Sequence, residues 1–273
     1  MLVAITARDS GDVVSKSLLR VHKNDSNFSI IDISDLTASA KININHSGCS
    51  QLTFGNLIQL PPQASACINR AMINSDILAL SKEKPHILQT ELECLLQTYI
   101  NNFAKSTAKA GLYSLCGDYL PLYMQWQKVQ KELPICIVPK YQYVFGSLAP
   151  DVHDFQFPIY KSTFDLRTWK PNSEPASFWH TFVVDRPKGK PVVVANIGES
   201  IFFSEEQNDS LKIQLQKFSL IICKIFSSEI GETLFFIDND SICFAAFSHL
   251  IKLNIPDEAI DEAVITLIKK YQN

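Results

Sequence analysis

Glycine is scarce in this chain, nine in 273 residues, and methionine is scarcer, at three. No G-x-x-x-x-G-K-[ST] phosphate loop occurs. The loop after the first apolar run, "ARDSGD", carries one glycine where a dinucleotide fingerprint needs three. The G-x-S-x-G elbow of a hydrolase is also missing. Six histidines stand singly, at His22, His46, His86, His153, His180 and His249, and no H-E-x-x-H places two imidazoles on one helix face, which argues against a zinc enzyme. Seven cysteines include no C-x-x-C pair, and several sit in apolar company, as in Ile135-Cys136-Ile137 and Ile222-Cys223. Free Cys behaves there as a small buried hydrophobe, which points to a reducing cytoplasm over a disulfide scaffold.

Excess charge is lacking too. With 25 basic and 28 acidic residues the net charge is -3, so no overall field draws in a phosphate backbone or an anionic membrane. Nucleic acid is not favoured as a partner. No run approaches the roughly 18 apolar residues that span a bilayer, and Arg8 and Asp9 interrupt the start before any signal-peptide core forms. A soluble, cytoplasmic protein is the expectation, with no membrane partner.

What is present is a sequence built to fold: 46% hydrophobic and 19% charged residues, enough for one large domain or two modest ones. Leu2 to Thr6 is an apolar run, "VVSKSLLRVH" has a helical pattern, and "FSIIDISDL" is a second strand. Strand, loop, helix, strand is the mark of a parallel α/β unit. "KININHSGCSQLTFGNLIQL" predicts short strands, with Ser47-Gly48 and Gly55 as turn signals. "LQTELECLLQTYINNFAKSTAKAGLY" predicts a helix, with Thr90 and Glu93 suiting a capping box and Gly111 ending it. "PLYMQWQKVQKEL" predicts another, opened by Pro121 and closed before Pro134. Its aromatics, like those of "ASFWHTF", suit either the core or a protein contact.

Strands then dominate: "ICIVPKYQYVFG", "FPIYKSTFDL", and a hairpin "SFWHTFVVDRPKGKPVVVANIG" whose Lys188-Gly189-Lys190 turn is flanked by prolines. A long helix places Leu211, Leu215, Phe218, Ile222 and Ile225 in phase. "GETLFFIDNDSICFAAFSHLIKL" predicts two apolar strands around an Asp238-Asn239-Asp240 turn. A last helix, "DEAIDEAVITLIKKYQ", has acids first and lysines last, matching the macrodipole. The expected domains are residues 1–80, an N-terminal α/β subdomain; 81–133, a helical connector; and 134–273, an α+β region.

One residue stands out on chemistry. Lys161 falls on or just after an apolar strand, where an ammonium must reach water or meet an anion, phosphate being the plausible one. The plainer alternative is a lysine on a strand's polar face.

This order of elements resembles the ATP-grasp superfamily, in particular the ligases that modify ribosomally made peptides. Lys161, after Pro158-Ile159-Tyr160, matches the family's phosphate-contacting strand lysine, and "VVDRPKGKPVVVANIG" looks like its paired strands beside the adenine pocket. The resemblance implies ATP between two α+β subdomains, with Lys161 and Lys140 on its phosphates. It implies magnesium, for which Glu232, Asp238 and Asp240 are the oxygen donors on offer. The implied reaction activates a carboxylate as acyl phosphate for attack by an amine or hydroxyl.

The departures are equally specific. Where the family carries Glu-x-Asn on its last strand, this chain has Ala245, Ala246, Phe247 and Ser248. "STFDLRTW" has no glycine where a flexible Gly-rich loop is the family's habit, and no arginine stands near Thr181 on the middle hairpin. Asp-Asn-Asp is also what a tight turn demands by itself. Two functions remain open: an ATP-dependent carboxylate-amine ligase acting on a peptide or small molecule, and a catalytically inactive relative that binds a protein or peptide.

Overall fold

The computed structural model describes residues 1–6, 11–22, 28–33, 40–44, 50–54, 58–60, 65–71, 86–111, 114–146, 150–170, 180–239 and 241–273. Asp240, most of the "ARDSGD" loop and the turns at Ser47-Gly48 and Gly55 lie outside the described residues. The fold is mixed α and β.

The chain opens as its pattern predicts. Strand β1 (Leu2–Thr6) is fully buried, and helix α1 (Val13–Val21) follows it to parallel strand β2 (Phe28–Asp32). Asp12 caps α1, its Oδ2 accepting from the Ser15 backbone at 2.9 Å. Strands β3 (Ala40–Ile44), β4 (Ser50–Phe54) and β5 (Ile58–Leu60) form a small antiparallel sheet. Then β6 (Ala66–Asn69) returns beside β1, helix α2 (His86–Asn101) follows, and β7 (Lys105–Ser106) completes the parallel sheet β2-β1-β6-β7.

Helix α2 corrects two expectations. It starts at His86, so Thr90 lies inside it and cannot be its cap. It ends at Asn101 and not at Gly111, because the Asn101 amide accepts from Ala110 N at 2.8 Å and the chain leaves at once for the edge of the sheet.

Helix α3 (Leu122–Glu132) buries Leu122, Gln125, Trp126 and Val129 along one face, with Pro121 as its N-cap residue. Strands β8 (Tyr141–Phe145), β9 (Pro158–Tyr160) and β10 (His180–Asp185) form an antiparallel sheet in the order β8-β10-β9. The second sheet contains β11 (Lys190–Ile197), β12 (Ser200–Phe203), β13 (Ile230–Asp238) and β14 (Ser241–Ser248), in the order β12-β11-β13-β14. Helix α4 (Asp209–Ile225) connects its two hairpins, and α5 (Asp257–Gln272) closes the chain.

The expected hairpin across Lys188-Gly189-Lys190 does not form: β10 pairs with β8 and β9, whereas β11 pairs with β12 and β13. The proline-flanked linker carries the chain from one sheet to the other. Gly189 has φ +88, and a Cβ there would lie 2.0 Å from Ile237 O, so only glycine fits where the linker crosses β13. Strands β13 and β14 pair as predicted, with Asp238 opposite Ser241 and Asn239 at φ +54.

One core joins the β8-β10-β9 sheet (the small sheet), the β12-β11-β13-β14 sheet (the large sheet) and α3 through Trp126, Trp169, Phe182, Phe236 and Phe244. A second joins β1 and α1 to α5 and the far side of the large sheet through Leu2, Val14, Leu18, Ile197, Ile260 and Leu267. Among the described residues no helix is long and apolar enough to cross a membrane.

Candidate nucleotide cleft

Lys161 leaves the end of β9 with its backbone N–H donated to Phe182 O at 3.0 Å, which fixes the side chain beneath the small sheet. It is 6% exposed, so it is not a lysine on a polar face. Its Nζ donates to Thr168 O, stands 3.6 Å from Asp165 Oδ2, and sits 4.4 Å from the centre of the Trp169 ring. Burial pulls the ammonium down to about 8 against the opposing pull of Asp165. Backbone, carboxylate and aromatic face together cage the cation.

The cage is made by residues 162–169, the stretch without glycine. Thr163 O accepts from Leu122 N at the start of α3, at 2.7 Å. Asp165 Oδ1 accepts from the Thr168 and Arg167 backbone at 3.0 and 3.2 Å, and Trp169 meets Phe236 edge-on at 5.4 Å. Arg167 reaches further, to Glu232 Oε1 at 2.9 Å and Leu250 O at 3.1 Å. The segment is tied to α3 at Thr163, to Glu232 at Arg167 and to Phe236 at Trp169, and it closes over the Lys161 ammonium.

Glu232 is therefore already satisfied. Besides Arg167 on Oε1, its Oε2 accepts from Lys252 N and Leu253 N, both at 2.7 Å, and the residue is 8% exposed. Across the ladder stands Ser248, whose hydroxyl is spent locally on Leu250. Ala245, Ala246 and Phe247 are buried and offer no oxygen from their side chains. Magnesium wants oxygen ligands with lone pairs to spare, and no group of three metal-capable side chains occurs among the described residues. This donor set does not fit the ion.

Asp238 lies six residues further along β13, about 20 Å away at strand spacing. It lines an open cleft of about 320 Å³ together with Lys140, Arg186, Lys188, Phe236 and Ile137. The structure thus brings Lys140 to Asp238, and Lys161 to Glu232 through the 162–169 segment; the four do not converge on one ion. Asp165, Arg167 and Trp169 went unread in the sequence as partners of Lys161 and Glu232. The signal was the alternation of charge and aromatic in "DLRTW", an unusual filling for a flexible loop.

The outer edge of β14 is closed as well. Ile137 N donates to Ile242 O at 3.2 Å and Ile137 O accepts from Phe244 N at 2.8 Å. Trp126 Nε1 donates to Ala245 O at 2.8 Å. The Gln125 amide accepts from Phe247 N at 2.8 Å and donates to Phe247 O at 3.2 Å, imitating a neighbouring strand.

No family model matches the sequence. No curated protein matches it either. The fold, by contrast, is shared with solved structures over nearly the whole chain. Macrocyclase MdnC from Microcystis aeruginosa MRC, bound with precursor peptide MdnA, superposes with a TM-score of 0.66 at 13% identity, over 99% of this chain and 100% of that one. A RiPP-associated ATP-grasp ligase from Chryseobacterium gregarium, in complex with ADP and a leader and core peptide, gives 0.65 at 10% identity, over 98% and 96%. ATP-grasp ligase PsnB, complexed with a phosphomimetic variant of its minimal precursor, Mg and ADP, gives 0.61 at 11% identity, over 98% of both chains. The chain has an ATP-grasp-like fold.

Proposed function

We propose that this chain is a catalytically silent protein of ATP-grasp architecture that binds a peptide or protein partner. The observation that carries the reading is the caged Lys161: its ammonium already has a carbonyl, a carboxylate and an aromatic face where a phosphate would have to approach. The saturated Glu232 and the apolar Ala245–Phe247 stretch support it, because phosphoryl transfer without a bridging metal loses its main source of charge neutralisation. The neighbours' complexes with precursor, leader and core peptides support the peptide partner. Buried free thiols at Cys67, Cys116, Cys136, Cys223 and Cys243 support a reducing, cytoplasmic setting.

The competing reading is an ATP-dependent carboxylate-amine ligase. The open cleft holding Lys140 and Asp238 favours it, as do the neighbours solved with ADP, one of them also with Mg. Calorimetric titration of the purified chain with ATP, with and without magnesium, separates the two. No heat of binding is expected under either condition. Micromolar binding that needs magnesium and disappears in Lys161→Ala would overturn the silent reading and establish a working site.

A further inference from the structure

Strand β8 is the outer strand of the small sheet, and among the described residues no strand or loop backbone pairs with its free side. Exposed edges of this kind usually carry charge, proline or a cover. This one instead shows aromatics: Tyr143 is 45% exposed and Phe145 is 75% exposed. A row of open backbone groups flanked by exposed rings is the surface that an extended polypeptide completes by adding a strand.

Lys140 immediately precedes β8 and opens into the 320 Å³ cleft, where Arg186 and Lys188 join it. Hydrogen bonds place them side by side: Asp185 N donates to Lys140 O at 2.9 Å, and Arg186 N donates to Phe157 O at 2.9 Å. None of the three cations forms an ion pair with a described residue. One of the two carboxylates in the cleft is already engaged, since Asp185 Oδ1 accepts from Gln156 N and Phe157 N at 3.1 and 2.7 Å. Three cations against two carboxylates, Asp185 and Asp238, leave the cleft with one net positive charge. Its apolar wall includes Ile137, 53% exposed, and Phe236.

We infer that this edge and cleft form one docking site for an extended acidic peptide. The peptide pairs with the free side of β8, its apolar side chains lie against Tyr143 and Phe145, and its carboxylates reach Lys140, Lys188 and Arg186. Charge complementarity selects the partner, and the backbone ladder supplies sequence-tolerant affinity. The inference rests on the silent, partner-binding reading above and gives it a location.

The test is selection of a random twelve-residue peptide display library against the full chain, followed by fluorescence anisotropy of the winners. Enriched peptides are expected to carry net negative charge with alternating apolar residues. Lys140→Glu with Lys188→Glu, both at exposed positions, should weaken them at least tenfold, as should Phe145→Ser. Winners without acidic excess, or winners indifferent to all three substitutions, would sink the site while leaving a partner-binding protein. No enrichment at all would overturn both the site and the reading it rests on. Displacement of the winners by ATP would assign the cleft to a nucleotide, and self-association removed by Phe145→Ser would assign the edge to a second copy; either result overturns the proposal.

Discussion

Lys161 is the residue where chemistry and stability can be told apart. Its ammonium is pulled down to about 8 in the folded chain, chiefly by burial, from an ordinary 10.5. Between those values the unfolded chain holds the extra proton, so stability should rise as pH climbs from about 8 towards 10.5. Below 8 the full cost of burying the charge is present. Lys161→Met, of similar length and uncharged, is therefore expected to stabilise the protein at pH 7 by on the order of 1–3 kcal/mol and to abolish the alkaline rise. Urea midpoints at pH 7 and 9.5 check both, and a destabilised variant would show that the cage gains more than burial costs. His249 works at the other end of the scale. Burial holds its imidazole down at about 4, from 6.5, while Nε2 lies 2.9 Å from Asp118 O and Gly117 packs against the ring. As pH falls through 6.5 the unfolded chain takes up a proton that the folded one refuses until about 4. The stability contributed by neutral His249 is thus complete above 6.5 and lost between 6.5 and 4. His249→Gln should flatten the pH dependence of the urea midpoint across that window, whatever it does to the midpoint at pH 7.

At the scale of elements, the seal on β14 decides whether the large sheet keeps an open edge. Gln125 meets both the N–H and the C=O of Phe247, and both partners are buried. Gln125→Leu keeps the volume and takes the amide from three backbone groups, the N–H and C=O of Phe247 and the C=O of Leu120, which a leucine side chain cannot replace, at an expected cost of about 2–4 kcal/mol. Equilibrium urea unfolding measures it; a loss under about 0.5 kcal/mol would mean that water replaces the amide. This seal also marks where the sequence stops being readable. The apolar phase of α3 and the two apolar runs around Asp238-Asn239-Asp240 carry the elements themselves, because a half-buried helix repeats its apolar residues with a period of 3.6 and a strand buried on both faces is an unbroken apolar run. They do not say which element lies against which. A glutamine within an apolar helix face looks like an imperfection until β14 arrives beside it. The same limit explains the hairpin expected across Lys188-Gly189-Lys190: a turn composition specifies that the chain bends, while the core around Phe182 and Phe236 decides that its two strands part into different sheets. Lys161 was legible as a lysine in need of an anion. That the anion is Asp165, four residues on, was hidden because a family position suggests a ligand before it suggests a neighbour.

For the whole molecule, the question is whether the N-terminal α/β unit and the C-terminal sheet stand or fall together. Their shared core runs from Leu2 and Val14 to Ile197 and Leu267, and an ion pair reinforces it at the rim. Arg70 and Asp12 are both fully buried; Nη2 and Nε bond the carboxylate at 2.6 and 2.9 Å, and Nη2 also donates to His249 O at 2.8 Å. Asp12 in turn caps α1, so a single guanidinium links the first helix, the strand end at Asn69 and the segment leaving β14. Replacing one partner of such a pair strands the other charge, which costs about 3–5 kcal/mol. Arg70→Met should therefore lower the unfolding midpoint of the entire chain, and adding Asp12→Asn should restore part of the loss because the stranded charge is gone. Two probes make the outcome decisive. With Trp179 replaced by Phe, tryptophan fluorescence reports on Trp126 and Trp169 in the core between the β8-β10-β9 and β12-β11-β13-β14 sheets, and far-ultraviolet circular dichroism reports on all elements. If the units are one cooperative body, both transitions move down together in Arg70→Met, although Arg70 is not among the residues of the core that holds the tryptophans. A fluorescence midpoint that stays in place while the dichroism midpoint falls would show that the two cores unfold separately, and that the N-terminal unit is a docked module and not part of one cooperative fold.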